Sequence, residues 1–306
     1  LRSLVGSEMC IRDRSMLVPT STSPHAPIGP DGLGLTKGTP VLDPQAHADD
    51  LGLAHMLADS ADQISAERFG AQDLHVESKP DATPVTDADL AVERTIRSTL
   101  GRLRSRDAIH GEEFSDSGES DRRWIIDPID GTKNFLRGVP VFATLIALMV
   151  EDEVALGVVS APALGQRWWA SRGAGAWMGP RMSKATRLQV SGVHRLADAS
   201  LSYGSLGGWV DEGRGRGMGE LMRSCWRTRA YGDFWHYMLV AQGAVDIATE
   251  PELNLYDMAA CQAVVTEAGG RFTNIDGLDG VQGPGAVATN GHLHGDVIEL
   301  LRPDEA

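Results

Sequence analysis

Apolar residues recur along this chain with two periods, and each period predicts its own elements. Leu53, Leu57, Ala61 and Ile64 are spaced 4-4-3, one buried face of a helix running to about Phe69. Asp43-Pro44 supplies a cap candidate followed by proline in the first turn, which predicts the start of that helix. Val92, Ile96, Leu100 and Leu103 mark the core face of a second helix, entered at Thr86 with Asp89 in a capping-box position. Alternating runs at 141–150, 154–160 and 167–171, with Glu151-Asp152 as a turn, predict an antiparallel meander. Short strands are expected at 73–77, 107–110, 187–190, 199–203, 244–249, 271–274 and 286–289. Further helices are expected at 234–242 and 296–301, and from Asp257 to Gly269-Gly270 with Met258, Cys261, Val265 and Ala268 inward. Helices and strands joined by both hairpins and crossovers predict a layered α/β (α+β) fold. Pro180 to Lys184 is the best boundary, dividing the folded part into halves 43–180 and 181–306.

Some stretches carry neither period. Residues 207–219 hold six glycines with arginines between them and read as a mobile surface loop; no strand feeds them, so a dinucleotide fingerprint is excluded. Residues 16–42 are rich in Pro, Gly, Ser and Thr and are expected to be disordered. Residues 1–15 (LRSLVGSEMCIRDRS) resemble the translation of a sequencing-adapter read, with Met16 as a plausible start; a disordered tail is the other reading.

Composition narrows the class. At 306 residues, 42% hydrophobic and 23% charged, the chain can bury a large core. Its net charge of −14 argues against a nucleic-acid partner, yet permits an anionic substrate wherever a bound metal inverts the local field. Cys10, Cys225 and Cys261 are too widely spaced for a disulfide framework or a zinc site, which fits a cytoplasmic protein, and the last two are expected in the core. No apolar run reaches the roughly 18 residues of a membrane span. His292 and His294 would share one face of a strand as zinc ligands can, but without a third ligand nearby an exposed turn is the expectation.

The chemistry concentrates at residues 124–135. Trp124-Ile125-Ile126 is an apolar run that reads as the end of a buried strand, and Pro128 is expected to stop its ladder. Asp127 and Asp130 follow, with Gly131 to turn the backbone. Two carboxylates held close repel, and one would protonate unless a cation lies between them. Oxygen ligands without Cys or His point to a hard divalent ion, Mg2+ first. Thr132 offers a hydroxyl to orient a metal-bound water.

Asp127-Pro128-Ile129-Asp130-Gly131-Thr132-x-Asn134-Phe135 resembles the signature of the inositol monophosphatase family of Mg2+-dependent, Li+-sensitive sugar phosphatases. Gly111-Glu112-Glu113 upstream, and Leu255-Tyr256-Asp257-Met258-Ala259-Ala260 followed by Glu267-Ala268-Gly269-Gly270, agree in order. Arg137-Gly138-Val139-Pro140, the segments 161–169 and 229–235, and Glu250-Pro251-Glu252-Leu253 look most like the actinobacterial-type histidinol-phosphate phosphatases within it.

The resemblance implies a five-layer αβαβα sandwich, a homodimer, and a phosphomonoesterase with two or three Mg2+ ions. It implies a ligand set of Glu112, Asp127, the Ile129 carbonyl, Asp130 and Asp257, although Asp257 taken alone reads first as a helix cap. Thr132 paired with Glu112 would activate the water, the N–H groups of Gly131 and Thr132 would face the phosphate, and Lys79 would tune a third metal. Asp87 either caps a helix or holds metal-bound water; Arg137 approaches either the phosphate or the partner subunit. Asp233 and Glu250 match positions that contact the rest of the substrate, and two acids suit the amine and imidazole of histidinol phosphate. The rival readings are an inositol or sugar phosphatase with the same chemistry, and a catalytically silent metal-binding relative.

Overall fold

The structure is a computed structural model that describes residues 47–79 and 83–304. The segments 1–15 and 16–42, and the expected cap at Asp43-Pro44, lie outside those residues. The first helix, α1 (Ala48–Arg68), buries Leu53, Leu57 and Ala61 as its spacing predicts, with Ile64 packed against the same cluster. A small ribbon of β1 (Val76–Ser78) and β2 (Pro84–Thr86) leads into α2 (Asp87–Leu103). The predicted capping box is present: Thr86 accepts from the first-turn N–H groups, and its own N–H donates to Asp89 at 2.8 Å. Val92, Ile96 and Leu100 are buried, whereas Leu103 in the last turn is exposed.

A seven-stranded sheet follows. β3 (Ala108–Gly111) lies parallel to the long strand β4 (Arg122–Asp130), and the short helix α3 (Thr132–Leu136) comes next. The expected meander then runs antiparallel through β5 (Ala143–Val150), β6 (Glu153–Ala161), β7 (Gln166–Ser171), β8 (Gly175–Met178) and β9 (Thr186–Arg187). The sheet thus continues past residue 180, and the strand near Arg187 is its far edge rather than the opening of the second sheet.

The second sheet comprises β10 (Ser200–Tyr203), β11 (Arg227–Arg229), β12 (Ile247–Glu250), β13 (Arg271–Thr273) and β14 (Ala286–Thr289), in spatial order β11-β10-β12-β14-β13. Its helices are α4 (Leu206–Asp211), α5 (Gly215–Ser224), α6 (Asp233–Ala241), α7 (Leu255–Glu267) and α8 (His294–Leu300). Three apolar clusters define the layers. One joins α1 and α2 to the outer face of the first sheet. The largest packs α6 and α7 between the two sheets. The third packs α4, α5 and α8 on the far face of the second sheet. This is the five-layer αβαβα sandwich. No helix among the described residues is long and apolar enough to cross a membrane.

Two expectations are corrected. The stretch 207–219 is not a loop but α4 and part of α5, because Trp209, Met218 and, just beyond it, Leu221 are fully buried and tie both helices to the third cluster. Some of its glycines allow close contact: a Cβ on Gly217 would run into the Leu300 carbonyl, and one on Gly208 would lie 2.7 Å from Pro251. The histidine pair divides. His292 is exposed against His194, while His294 is buried between Thr273 (3.0 Å) and Thr289 (3.1 Å), so the two share neither a face nor an exposed turn.

Burial, with Arg271 nearby, pushes the His294 pKa down to about 4 from 6.5. Below pH 6.5 the unfolded chain takes up a proton that the folded chain refuses, so this residue's contribution is whole above pH 6.5 and drains away down to about pH 4. His294→Gln is expected to be less stable than the wild type at pH 7.5. In denaturant melts at pH 4.5 the gap should close or reverse, by on the order of 3 kcal/mol; a gap independent of pH would contradict the assignment.

Candidate active site

Three carboxylates arrive from two directions. Asp127 and Asp130 are three residues apart on β4, and regular alternation would put them on opposite faces. Contrary to expectation, Pro128 does not end the ladder. Asp127 pairs with Leu145 and Asp130 with Ala143, so three steps on β4 oppose two on β5. The extra residue is a β-bulge, it accommodates the proline that has no N–H to give, and it returns both acids to one side. Thr144 donates to the Pro128 carbonyl at 2.8 Å and pins the bulge. Gly131 then turns at φ +83°, where a Cβ would lie 2.9 Å from the Val141 carbonyl oxygen, and α3 begins.

Asp257 comes from the third position of α7. One of its oxygens accepts the Asn254 N–H at 2.6 Å, and its carboxylate also faces Asp127 and Asp130. Cap and cluster are therefore the same side chain. One carboxylate oxygen from each of the three acids lies within 4.8 Å of the others.

The electrostatic cost is plain. Burial, then Glu112, Asp130, Asp257 and Asp89, pushes the Asp127 carboxyl well above its usual range. Burial, then Asp233 and Asp257, does the same to Asp130, against the Phe234 N–H that donates to it at 2.6 Å. Asp257 is pushed up to about 7, first by burial. Asp127 Oδ1 is buried without a hydrogen-bond partner. Glu112 accepts from the Lys79 ammonium at 2.6 Å, and Lys79 also reaches Glu113 at 2.7 Å. Burial opposes the charge on Lys79, but these two acids outweigh it and raise its pKa. An all-oxygen donor set, an orphaned buried oxygen and mutual repulsion fit a hard divalent cation.

Other predicted residues fall in and out of this group. The Ile129 carbonyl accepts the Thr132 hydroxyl at 3.0 Å. Thr132 does not pair with Glu112; its other partner is Asp89 Oδ1 at 3.4 Å. Asp89 Oδ2 is tied to Thr86, so the capping box aims Oδ1 at Thr132. Burial raises the Asp89 pKa to about 6. Asp87 lies apart, bound to Arg68 at 2.8 Å. Arg137 is exposed at the end of α3, without a side-chain hydrogen bond or ion pair among the described residues.

A second acidic group lies beside the first. Asp233 opens α6 at φ +50°, a left-handed conformation costly for a side chain, and accepts from Asn134 at 2.8 Å. Glu250 ends β12; burial, then Asp233 and Asp257, pushes its pKa up to about 8. Both line a cleft of about 550 Å³ together with Asp211 and Glu252, and no Lys or Arg among the described residues lines it.

The sequence matches the inositol monophosphatase family over residues 49–305. The chain belongs to this family. Among its relatives are proteins named histidinol-phosphatase from Streptomyces coelicolor and Mycobacterium tuberculosis. Each is 56% identical over 83% of this chain, and 97% and 98% of the two relatives are covered. Solved structures agree. The Thermotoga maritima IMPase aligns with a TM-score of 0.73 at 30% identity, over 83% of this chain and 96% of that one. The suhB protein of Bartonella henselae aligns with a TM-score of 0.76 at 29% identity, over 84% and 100%.

Sequence reasoning placed Asp89 only as a cap and gave Asn134 no role, because neither contact is local in the chain. For the family site, Asp127→Asn should raise the melting temperature of metal-free protein by relieving repulsion. It should also abolish the rise that Mg2+ produces in the wild type. A Mg2+-dependent rise that survives the substitution would remove Asp127 from the ligand set.

Proposed function

We propose that this family member is a Mg2+-dependent phosphomonoesterase that hydrolyses L-histidinol phosphate to L-histidinol and phosphate, in histidine biosynthesis. The observation that carries the substrate is the second acidic group. Histidinol phosphate brings an amine and an imidazole, which Asp233 and Glu250 can meet with charge-assisted hydrogen bonds. Inositol phosphate brings hydroxyls alone. The two relatives named histidinol-phosphatase support this reading at 56% identity. Relatives named inositol-1-monophosphatase, from Caulobacter vibrioides at 34% identity and Rhizobium meliloti at 37%, keep the second reading in play, since a carboxylate also accepts from hydroxyls.

Glu112, Asp127, Asp130, Asp257 and the Ile129 carbonyl would hold two or three Mg2+ ions, with Lys79 tuning the loosest. When bound, the ions would neutralise the phosphate, lower the pKa of a water and stabilise the leaving alkoxide. The chain's own part is orientation and proton traffic. Thr132 Oγ directs the attacking water, and its one hydrogen turns from the Ile129 carbonyl to Asp89 Oδ1, so that Asp89, rather than Glu112, receives the proton through the hydroxyl. An acid with a pKa of about 6 is suited to that near neutral pH. Asp87, held by Arg68, has no part. The Gly131 and Thr132 N–H groups face the phosphate, and Arg137 is free to reach the phosphate or a partner subunit. A cytoplasmic, Li+-sensitive homodimer belongs to the same proposal, on family resemblance.

Phosphate release with Mg2+ should favour histidinol phosphate over myo-inositol 1-phosphate by about a hundredfold in kcat/KM, on the order of 2.7 kcal/mol. Equal or reversed rates would move the assignment to a general sugar phosphatase. Asp89→Asn should lower kcat by roughly a hundredfold or more while Asp87→Asn leaves it within about threefold. The opposite order would restore Asp87 to the site.

A further inference from the structure

His236 stands where the core asks for an apolar residue. It lies on α6 among Phe234, Tyr237, Met238 and Val240, and its side chain is 0% exposed. Burial drives its pKa down to about 3, so the ring is neutral and carries one N–H. A buried N–H without an acceptor costs roughly 1–3 kcal/mol, and an aliphatic side chain would avoid that cost. Nε2 has no hydrogen-bond partner, and the acceptor it faces is Glu250 Oε1 at 3.9 Å.

The tautomer follows from the other ring nitrogen. Nδ1 lies 3.3 Å from Ser202 Oγ, and Ser202 Oγ already accepts the Tyr231 N–H at 3.2 Å. The Ser202 hydrogen has no other acceptor among the described residues, so it goes to Nδ1. The ring proton is then on Nε2, directed at Glu250. The topology builds this line. Ser202 on β10 sits opposite Ala248 on β12, two residues before Glu250. Asp233 and His236 are one turn apart on α6, and the Asp233 backbone N–H also favours the charged form of Glu250. Glu250 is thus approached from one helix by a backbone N–H and a ring N–H.

We propose that His236 is a positioning residue that, backed by Ser202, aims the Glu250 carboxylate into the cleft to receive the cationic end of the substrate. This rests on the histidinol-phosphate reading above. His236 Nε2 and Glu250 Oε1 are 3.9 Å apart, beyond hydrogen-bond reach, so this positioning requires a small movement of Glu250 toward the ring when it meets the cation.

Two measurements on the full chain test this. In ¹⁵N-histidine spectra, the ring signal lost in His236→Gln should be that of an Nε2–H tautomer, and it should move in Glu250→Gln. An Nδ1–H ring, or a signal indifferent to Glu250, overturns the proposal whatever the substrate. In kinetics, His236→Leu should raise KM for histidinol phosphate about tenfold with kcat within about twofold, and leave glycerol 2-phosphate hydrolysis unchanged. His236→Gln, whose amide nitrogen reaches the place of Nε2, should recover KM to within about threefold of the wild type. An unchanged KM, an equal loss on both substrates, or Gln no better than Leu speaks against it. Should His236→Leu fail to fold, Ser202→Ala keeps the ring buried and frees its tautomer, and a smaller rise in KM, confined to histidinol phosphate, is then required. A wild type that does not prefer histidinol phosphate would remove the substrate reading alone, and the spectra would still judge the tautomer.

Discussion

Repulsion between buried carboxylates is the constraint on which this structure turns. Asp127, Asp130 and Asp257 face one another inside the protein, with Glu112 and Asp89 close enough to raise the Asp127 pKa further. Left alone, such a group would protonate or spread apart. The surrounding structure prevents the spreading. A bulge pinned by Thr144 turns Asp127 and Asp130 to one side, Gly131 turns the chain away at once, and a capping box holds Asp257 at the head of α7. The apolar load behind these devices is large. Ile125, Leu145, Val159, Tyr237, Met258 and Val264 are all essentially unexposed in the cluster between the sheets, and each contributes roughly 1.5–3 kcal/mol. The site is thus preorganised by the packing behind it, with Leu145 paired directly to Asp127.

The central helical layer also links the two acidic groups. The Phe234 N–H, in the first turn of α6, donates to Asp130, and Asn134 of α3 donates to Asp233 at the start of the same helix. Asp233 in turn raises the pKa of both Asp130 and Glu250. Moving α6 would therefore disturb both groups at once. The left-handed backbone at Asp233 is a local cost borne at this junction, where one residue closes a helix start, accepts from another layer and faces the cleft.

Much of this was legible in the sequence, and the failures have physical causes. The helix stripes of α1 and α2 and the meander from β5 to β7 follow from periods that tertiary packing reinforces. The Asp127-to-Thr132 segment stood out because two acids, proline and glycine fall together there, and the structure gathers both acids with Asp257. Alternation alone would have separated Asp127 from Asp130; the Pro and Gly around them suggested a turn that holds them close, but not the bulge that does so, since a bulge leaves little trace in composition. Asp87 and Asp89 are equivalent as first-turn acids, and what distinguishes them is whether Arg68 or Thr132 lies opposite, a matter of tertiary placement. The glycine-rich stretch misled because glycine permits close approach as well as disorder, and here the approach is to Leu300 and Pro251. His294 and His236 were missed or misplaced for one reason. A histidine's role is set by hydrogen-bond partners that are distant in the chain.

An acidic protein that cleaves a phosphate ester poses an apparent contradiction, and the two groups resolve it by polarity. With a divalent cation in the first, the local field becomes positive and favours the phosphate despite the net charge of −14. No Lys or Arg among the described residues lines the second, where burial raises the Glu250 pKa to about 8 and favours its neutral form until a cation arrives. The loaded site is then positive beside Asp127 and acidic beside Glu250, which takes its charge when a cation meets it. A substrate with an anion at one end and a cation at the other relieves both charges at once. One with only hydroxyls gives Glu250 no cation to meet and leaves its carboxyl protonated and poorly matched, and the cost of that state falls on the wrong substrate. On this argument selectivity comes less from added attraction for a cationic tail than from a penalty against its absence. A rigid Glu250 sharpens that penalty, because a carboxylate held in place cannot escape to water when the wrong ligand arrives.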